Sequence, residues 1–350
     1  MIAARSPSPG RRRVTLAVLG AVALAIFASV WAHPPDEGLV LEVRAVPLNP
    51  SDPGQTRIGP LRYRGGLWLR SVDPRFGGLS GLRVSADGTQ VFAVSDCGRG
   101  FVASLEYDSD GDLTGVRDAA LSDLAGPGGR ALERREIDAE AVAPDGDGEL
   151  LVAFERDVPR IWSYGLDPFV PGHPEPRAAP PFGDECEGNR GPEALATLAD
   201  GRLFIACEGR ETSSTTVWLG RDQSWSSRPY PLEARESGLG DVFRPTGAVR
   251  LPEGDVLVLE RRFPPVEVRI MRLSRADLEG EGPLAPRELV RLEPPLTLDN
   301  FEGLDARRDA SGRTLLYLVS DDNACGKRQV VVAPRVLQRT LLLQFDLQLD

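Results

Sequence analysis

The pattern that decides the fold is clearest in Asp299-Asn300-Phe301-Glu302-Gly303-Leu304-Asp305, which is followed by the apolar run Leu315–Val319 and by Ser320-Asp321-Asp322-Asn323. The pair Ser311-Gly312 separates the two apolar segments, and acidic residues lie at the start of the first segment and at the end of the second. Short apolar runs separated by a glycine-containing pair are typical of antiparallel hairpins. This stretch therefore predicts a β-hairpin with carboxylates at its open end.

Five copies of this pattern occur along the chain. They begin at Leu79-Ser80-Gly81, Ala139-Glu140-Ala141, Pro192-Glu193-Ala194, Pro245-Thr246-Gly247 and Phe301-Glu302-Gly303. Their turns are Asp87-Gly88, Asp147-Gly148, Asp200-Gly201, Glu253-Gly254 and Ser311-Gly312. Successive copies start roughly 53 to 60 residues apart, which is close to the period of four-stranded propeller blades.

The repeat predicts an all-β fold, a β-propeller of about six four-stranded blades. A sixth blade would be shared between Leu39–Leu69 and the C-terminal strand Leu341–Leu349, so that the N- and C-terminal strands close the ring. A β-sandwich is the competing architecture. We expect the propeller domain to cover residues 39–350.

The composition limits the classes of partner. The chain has 350 residues with 41 basic and 52 acidic side chains, which gives a formal net charge of −11. A nucleic-acid binder or a protein that docks on anionic lipid would normally carry a basic surface. We therefore expect a small-molecule partner and no nucleic acid, and we expect a monomer.

The N-terminus resembles an export segment. Arg11-Arg12-Arg13 precede an apolar run, Val14–Ala32, that ends in small residues. Residues 1–32 are either a signal peptide cleaved before His33 or a retained membrane anchor, since the run is just long enough to span a bilayer. Either alternative predicts a periplasmic or secreted protein whose only contact with a membrane is this segment.

The four cysteines suggest disulfides, because an exported chain meets an oxidising environment. Cys186 and Cys207 flank one copy of the repeat, whereas Cys97 and Cys325 follow the acids of the first and last copies. The predicted pairs are Cys186–Cys207 and Cys97–Cys325. Free buried thiols are the alternative.

The acids form two sets in equivalent positions of the repeat. One contains Glu140, Glu193 and Glu302, in register with Ser80 and Thr246; the other contains Asp96, Glu155, Glu208, Glu260 and Asp321. Strands joined by a tight hairpin return to the same end, so both sets are expected on one face of the ring. Converging carboxylates repel one another unless a cation compensates them, and several oxygen ligands suit Ca²⁺.

The predicted calcium ligands are Glu140, Glu155, Glu193, Glu208, Glu260, Asp299, Glu302, Asp321 and Asp322. The alternative is that these acids pair with arginines and serve the structure alone.

A nucleophilic triad is not expected, because His33 and His173 are the only histidines and no G-x-S-x-G motif is present. Metal-assisted hydrolysis is the remaining chemistry. The predicted catalytic residues are Glu193, Glu302 and Arg190. A phosphate could be bound by Arg190 or by one of four other arginines near acids, Arg99, Arg156, Arg261 and Arg262.

Several separated motifs resemble one known family. In chain order they are Arg64-Gly65-Gly66-Leu67, Phe76-Gly77-Gly78-Leu79-Ser80-Gly81-Leu82, Asn189-Arg190-Gly191-Pro192-Glu193-Ala194-Leu195, Val258-Leu259-Glu260-Arg261 and Asp299-Asn300-Phe301-Glu302-Gly303-Leu304. The resemblance is to the phytase-like family, which is often labelled by an esterase-like activity of phytase, and the motifs occur in the order expected for it. The resemblance implies a bacterial, exported β-propeller that hydrolyses phosphoesters or esters with calcium. Thr246 departs from the family pattern, because an acid often stands at this position.

The function predicted from sequence is therefore a calcium-dependent phosphoester or ester hydrolase of unknown substrate. The alternative is a non-catalytic propeller that binds a ligand or partner on its acidic face. With one lysine and arginines next to acids, phytate itself is a poor candidate substrate.

Overall fold

The computed structural model describes residues 38–146, 148–165, 174–188, 190–210, 213–234, 242–263, 266–324 and 338–349. All the described residues belong to one compact unit, Pro35–Asp350. The predicted export segment, residues 1–32, lies outside the described residues, so its cleavage or retention stays a prediction. Among the described residues, no helix has the length and apolar character needed to cross a bilayer.

Antiparallel strands form five blades. The chain starts with β1 (Glu42–Ala45), β2 (Arg57–Ile58) and β3 (Leu61–Arg70), which belong to the last blade. Blade one contains β4 (Leu79–Val84), β5 (Gln90–Ser95), β6 (Arg99–Tyr107) and β7 (Leu113–Asp123). A small ribbon of β8 (Ala125–Gly126) and β9 (Arg130–Ala131) follows, around the 3₁₀ turn Pro127–Gly129.

The next two blades follow chain order as well. Blade two contains β10 (Ala139–Pro144), β11 (Leu150–Phe154), β12 (Arg160–Tyr164) and β13 (Glu175–Arg177). After the 3₁₀ turn Gly183–Cys186, blade three contains β14 (Pro192–Thr197), β15 (Leu203–Cys207), β16 (Ser214–Arg221) and β17 (Ser224–Pro231).

Blade four contains β18 (Arg244–Arg250), β19 (Val256–Arg262), β20 (Glu267–Leu273) and β21 (Arg287–Leu292). The short helix α1 (Arg275–Glu279) lies between its last two strands and begins with a capping box at Ser274 and Asp277. Blade five is completed by β22 (Asn300–Arg308), β23 (Thr314–Asp321) and β24 (Thr340–Leu347).

The first strand of each blade lies innermost and packs against the first strands of both neighbouring blades. The ring runs through β4, β10, β14, β18 and β22 and closes where β22 packs against β4. Because each inner strand is covered on both sides, β10 and β14 are buried along all but their last residue. The apolar core lies between adjacent blades; Phe204 and Val217 of blade three, for example, pack with Val258 and Leu273 of blade four.

Strands from both ends of the described chain complete the fifth blade. Its order is β1-β3-β24-β23-β22, so that β24 pairs with β23 on one side and with β3 on the other. The predicted closure by N- and C-terminal strands is confirmed, but the ring has five blades rather than about six. The last copy of the repeat supplies only β22 and β23, and the terminal strands fill this blade instead of building another.

The five predicted hairpin turns are present. The turn glycines Gly88, Gly148, Gly201, Gly254 and Gly312 all have positive φ, between 80° and 105°. Each donates its backbone N–H to the carbonyl oxygen three residues earlier, as Gly88 does to Ser85. A residue with a side chain is disfavoured at such φ values, which explains why glycine recurs there.

One of the two predicted disulfides lies within the described residues. Cys186 and Cys207 are bonded, with a Cα–Cα distance of 5.6 Å, and join the 3₁₀ turn before blade three to the end of β15. The Cys97–Cys325 pair stays a prediction, because Cys325 lies outside the described residues.

Candidate active site

A β-bulge occurs at the same place in the inner strand of every blade. The pairing between the first and second strands shifts register after Leu79, Ala139, Pro192, Pro245 and Phe301. The next residues, here called the bulge residues, are Ser80, Glu140, Glu193, Thr246 and Glu302. A bulge kinks the strand and redirects a side chain. The first predicted set of acids is therefore produced by a repeated backbone irregularity.

The second set follows the second strand of each blade. Ala139 pairs with Phe154 and Pro192 pairs with Cys207, so the next residues, Glu155 and Glu208, occupy equivalent positions. Asp96 and Asp321 occupy this position in blades one and five.

In blade four the residue that follows the second strand's last equivalent pair is one position later than predicted from the sequence. Pro245 pairs with Glu260, so the equivalent position is held by Arg261 and not by the predicted ligand Glu260. Successive side chains of a strand point to opposite faces, and Glu260 accordingly lies apart from the other acids. It is fully buried and accepts hydrogen bonds from Tyr230 at 2.5 Å and Arg269 at 2.6 Å.

These positions surround a cavity of about 320 Å³, here called the acidic cavity. Nine acids line it, namely Asp96, Asp138, Glu140, Glu155, Glu193, Glu208, Asp299, Glu302 and Asp321. The remaining lining residues are Arg156, Arg261, Phe263, Val266, Asn300, Asn323 and Gln338. The expectation that acids from distant repeats converge on one face is met by seven of the nine predicted ligands.

Three predicted site residues do not line the acidic cavity. Glu260 forms a buried ion pair with Arg269. Asp322 accepts hydrogen bonds from the backbone N–H groups of Gly78 and Ala324, both at 3.0 Å. Arg190 lies close to Arg244, whose pKa is lowered by burial and by the neighbouring positive charge of Arg190. The arginines that line the cavity are Arg156 and Arg261.

Asp138 was missed by the sequence reasoning. It lies immediately before Ala139, one residue outside the compared pattern, and is 3% exposed. In the sequence, Asp138 and Glu140 lie on either side of the small residue Ala139. This spacing of two acids was the signal that could have identified Asp138.

Two groups of carboxylates come close enough to share a cation. The first consists of Asp96, Glu140 and Glu302, and the second of Asp138, Glu140 and Glu155; within each group, one oxygen per residue lies within 4.8 Å of the others. Glu140 belongs to both groups. Polar neighbours orient these acids: the Ser80 hydroxyl lies 2.8 Å from Asp96 Oδ1 and 3.0 Å from Glu302 Oε2.

Arginines compensate only some of the charge. Nη2 of Arg261 lies 2.9 Å from Glu302 Oε1 and 3.7 Å from Glu208 Oε1, and Arg156 pairs with Asp138 at 2.5 Å. Within the described part of the chain, no ion pair is formed by the acids Asp96, Glu140, Glu155, Glu193 and Asp321. Arginine pairing, the alternative to metal binding, thus accounts for a minority of the cavity's acids.

Burial and mutual repulsion shift the pKa values of these acids upward. The pKa of Glu140 lies well above its ordinary value because the side chain is buried and because Glu193 and Asp96 are close. Burial and the charges of Glu208 and Glu155 raise the pKa of Glu193 in the same way. Burial raises the pKa of Glu155 to about 8 and that of Asp299 to about 6. Such groups are either protonated or stabilised by a cation.

These shifts predict that the calcium-free protein loses stability as pH rises. A carboxyl whose pKa is higher in the folded state binds more protons there, so its contribution is present at low pH and is lost between its unfolded and folded pKa values. For Glu155 this window runs from 4.5 to about 8. We expect the free energy of unfolding in EDTA to fall by about 3 kcal/mol or more over this range, since one pKa unit corresponds to about 1.4 kcal/mol.

Urea unfolding at pH 5, 6.5 and 8 measures this effect, and 5 mM CaCl₂ should flatten the dependence. A free energy of unfolding that rises with pH in EDTA would contradict the proposed electrostatics.

The donor set fits a calcium ion. Ca²⁺ binds six to eight hard oxygens at about 2.3–2.6 Å, so ligands on opposite sides of the ion lie about 4.6–5.2 Å apart. The three carboxylate oxygens of each group lie within 4.8 Å of one another, close enough for all three to bind one ion of this size. The side chain of Asn300 also contributes to the order of the site, because its Nδ2 donates to Glu302 Oε1 at 2.7 Å and to Asp321 Oδ2 at 3.2 Å.

Comparisons with solved structures find similar chains of low identity. An aldose sugar dehydrogenase from Streptomyces coelicolor is 16% identical, covers 90% of this chain and 99% of its own, and has a TM-score of 0.40. A gluconolactonase from Xanthomonas campestris is 9% identical, with 90% and 99% coverage and a TM-score of 0.40. An endo-1,4-beta-xylanase from Bacteroides thetaiotaomicron is 10% identical, with 77% and 90% coverage and a TM-score of 0.45. At such values the similarity says nothing about what this chain binds or converts.

No curated protein matches the chain in sequence. The sequence model of a protein family does match, over residues 74–324, and this range contains four whole blades and the first two strands of the fifth. The chain therefore belongs to the phytase-like family, which is described by the esterase-like activity of phytase.

Proposed function

We propose that the protein is a calcium-dependent hydrolase of phosphoesters or carboxylic esters and that the acidic cavity is its active site. The observation that carries this proposal is the convergence of five carboxylates, two groups of three sharing Glu140, within 4.8 Å in each group. Membership of the phytase-like family supports the reaction class.

The residues of the two groups would hold calcium. Asp96, Glu140 and Glu302 would hold one calcium ion, and Asp138, Glu140 and Glu155 would hold another. Bound calcium supplies positive charge that polarises an ester oxygen and stabilises the charge that develops on it. Ser80 and Asn300 keep Glu302 oriented for this role through the hydrogen bonds described above.

Glu193 is our candidate general base. It lines the cavity on the bulge of blade three and is 7% exposed. Burial and the charges of Glu208 and Glu155 raise its pKa, which increases its affinity for a proton. In the proposed reaction a water molecule transfers a proton to Glu193 while its oxygen bonds to the carbonyl carbon or phosphorus. The bond to the alcohol oxygen breaks, and this oxygen takes up a proton, so that ester and water yield acid and alcohol.

Hydrolysis of p-nitrophenyl phosphate, bis-p-nitrophenyl phosphate and p-nitrophenyl acetate, each with calcium and with EDTA, tests the function. We expect at least one ester to be cleaved about tenfold or more faster with calcium, and we expect calcium to raise the melting temperature. A rise in melting temperature without cleavage of any ester would favour the non-catalytic binding propeller. If millimolar calcium produced neither ester cleavage nor a rise in melting temperature, the calcium site itself would be wrong.

We also propose export to the periplasm or the medium. The apolar segment after Arg11-Arg12-Arg13 supports it, and so does the Cys186–Cys207 bond, because structural disulfides persist mainly in oxidising compartments. Recovery of the chain from the cytoplasmic fraction of its native host would contradict export.

A further inference from the structure

Blade four contributes a different chemistry to the acidic cavity from the other blades. Its bulge residue is Thr246, and Arg261 holds the position that carries an acid elsewhere. Each of the other four blades supplies one or two carboxylates from these two positions. The cavity is therefore asymmetric, because at these two positions blade four supplies a guanidinium and no carboxylate.

Blade four also contributes the apolar part of the cavity lining. Phe263 and Val266 flank the connection between β19 and β20, and they are the apolar side chains among the described lining residues. Phe263 is 41% exposed, and in the described part of the chain the other large hydrophobic residues with high exposure are valines. An exposed aromatic ring does not contribute the stabilisation that its burial would give the fold. Binding pockets commonly use such rings to contact a ligand.

The charge of the cavity argues against a polyanionic ligand. Nine acids and two arginines line it, so carboxyl groups far outnumber basic groups, and every acid that stays ionised adds negative charge. A ligand with several phosphate groups would meet this charge at short range, where like charges repel strongly. A ligand with little charge avoids the repulsion.

Arg261 retains donors for such a ligand. Its Nη2 contacts Glu302, and within the described residues no hydrogen bond of its other nitrogens is found. Blade four thus contributes both a guanidinium and an aromatic ring to the cavity lining.

We propose that the substrate is an ester of low charge with an apolar group, a proposal that rests on the function proposed above. The apolar group packs against Phe263 and Val266, and an oxygen of the acyl or phosphoryl group accepts a hydrogen bond from Arg261. The substrate class is thereby an aryl or extended alkyl ester, not a polyphosphate.

Binding of two phosphonates to the full chain tests this without turnover. Phenylphosphonate and methylphosphonate share the same anionic group and differ only in the apolar group, so titration calorimetry with 5 mM CaCl₂ isolates the apolar contact. We expect phenylphosphonate to bind about tenfold tighter than methylphosphonate, from burial of roughly 50 to 60 Å² of additional apolar surface.

Variants assign the preference to blade four. In Phe263→Ala the two phosphonates should bind within about twofold of each other, Phe263→Leu should keep part of the preference, and Val72→Ala, at an exposed apolar residue elsewhere, should behave as wild type. Arg261→Gln should weaken both phosphonates by the same factor. Equal binding of the two phosphonates by the wild-type chain, or a preference that survives in Phe263→Ala, would overturn the inference.

Hydrolysis of p-nitrophenyl acetate and p-nitrophenyl phosphate, measured on the same samples, separates this inference from the function on which it rests. Calcium-dependent hydrolysis without a preference for phenylphosphonate would overturn the substrate class and leave the hydrolase standing. A preference that requires Phe263, without hydrolysis of any ester, would support the apolar subsite and overturn the hydrolase.

Discussion

Replacing Glu140 by glutamine should abolish the stabilisation by calcium and lower kcat/KM by about a hundredfold or more. Glu140 is the one acid shared by both carboxylate groups, so the change removes a charged ligand from each group while keeping the size of the side chain. Loss of a single preorganised charge contact typically costs about 10²–10³ in rate. No other single substitution in the cavity is expected to affect both groups.

The same change should stabilise the calcium-free protein. Glu140 is 7% exposed and faces the acids Glu193 and Asp96, which raise its pKa together with burial. A neutral amide avoids both the desolvation of a carboxylate and this repulsion, and we expect a gain of about 1–2 kcal/mol in EDTA at pH 8.

Melting curves with and without calcium, combined with steady-state kinetics, measure both effects. Glu281→Gln, at an exposed acid, is the matched control and should change neither. If Glu140→Gln kept the calcium response of the wild type, the ion would have to bind elsewhere. A lower stability in EDTA would show that Glu140 is a structural acid.

Replacing Gly303 by valine should destabilise the protein by about 3 kcal/mol or more. A Cβ atom at Gly303 would lie 2.3 Å from the backbone oxygen of Ser80, 2.5 Å from Val319 Cγ1 and 2.8 Å from Leu82 Cβ. Gly303 lies where blade five packs against blade one, and the Ser80 backbone is part of a strand that cannot yield without disturbing the ring. Overpacking of a core typically costs about 1–3 kcal/mol, and contact with backbone atoms places this site at the upper end.

Thermal and urea unfolding measure this effect, and a fall in melting temperature of about 10 °C is expected for a chain of this size. Gly38→Val serves as the control, because no atom lies within 4 Å of a Cβ built there. A loss for Gly303→Val no larger than that of the control would show that blades one and five are not tightly packed at this point.

The repeat made most of the site predictable from sequence, because the blade period also sets the position of the acids. Glu140, Glu193 and Glu302 were placed correctly in the cavity since the same bulge precedes each of them. The prediction failed for Glu260 by a single position. Apolar runs do not reveal the pairing register, and a shift of one residue moves a side chain to the opposite face of a strand.

The blade count and Asp138 required the structure. Five copies of a pattern do not show whether terminal strands complete the last copy or form a further blade, because both arrangements have the same local sequence signals. The other copies of the repeat have Gly78, Gly191, Arg244 and Asn300 at the position of Asp138, so the repeat does not indicate an acid there. Its approach to Glu140 and Glu155 depends on how blade two is packed in the ring.

The composition of blade five has a consequence for biosynthesis. While a growing polypeptide has not yet reached Thr340, β23 and β3 both present unpaired edges, and edges of this kind invite pairing with other molecules. The ring can therefore close only after β24 has been synthesised, because β24 has to insert between β3, which is made much earlier, and β23, which is made shortly before it.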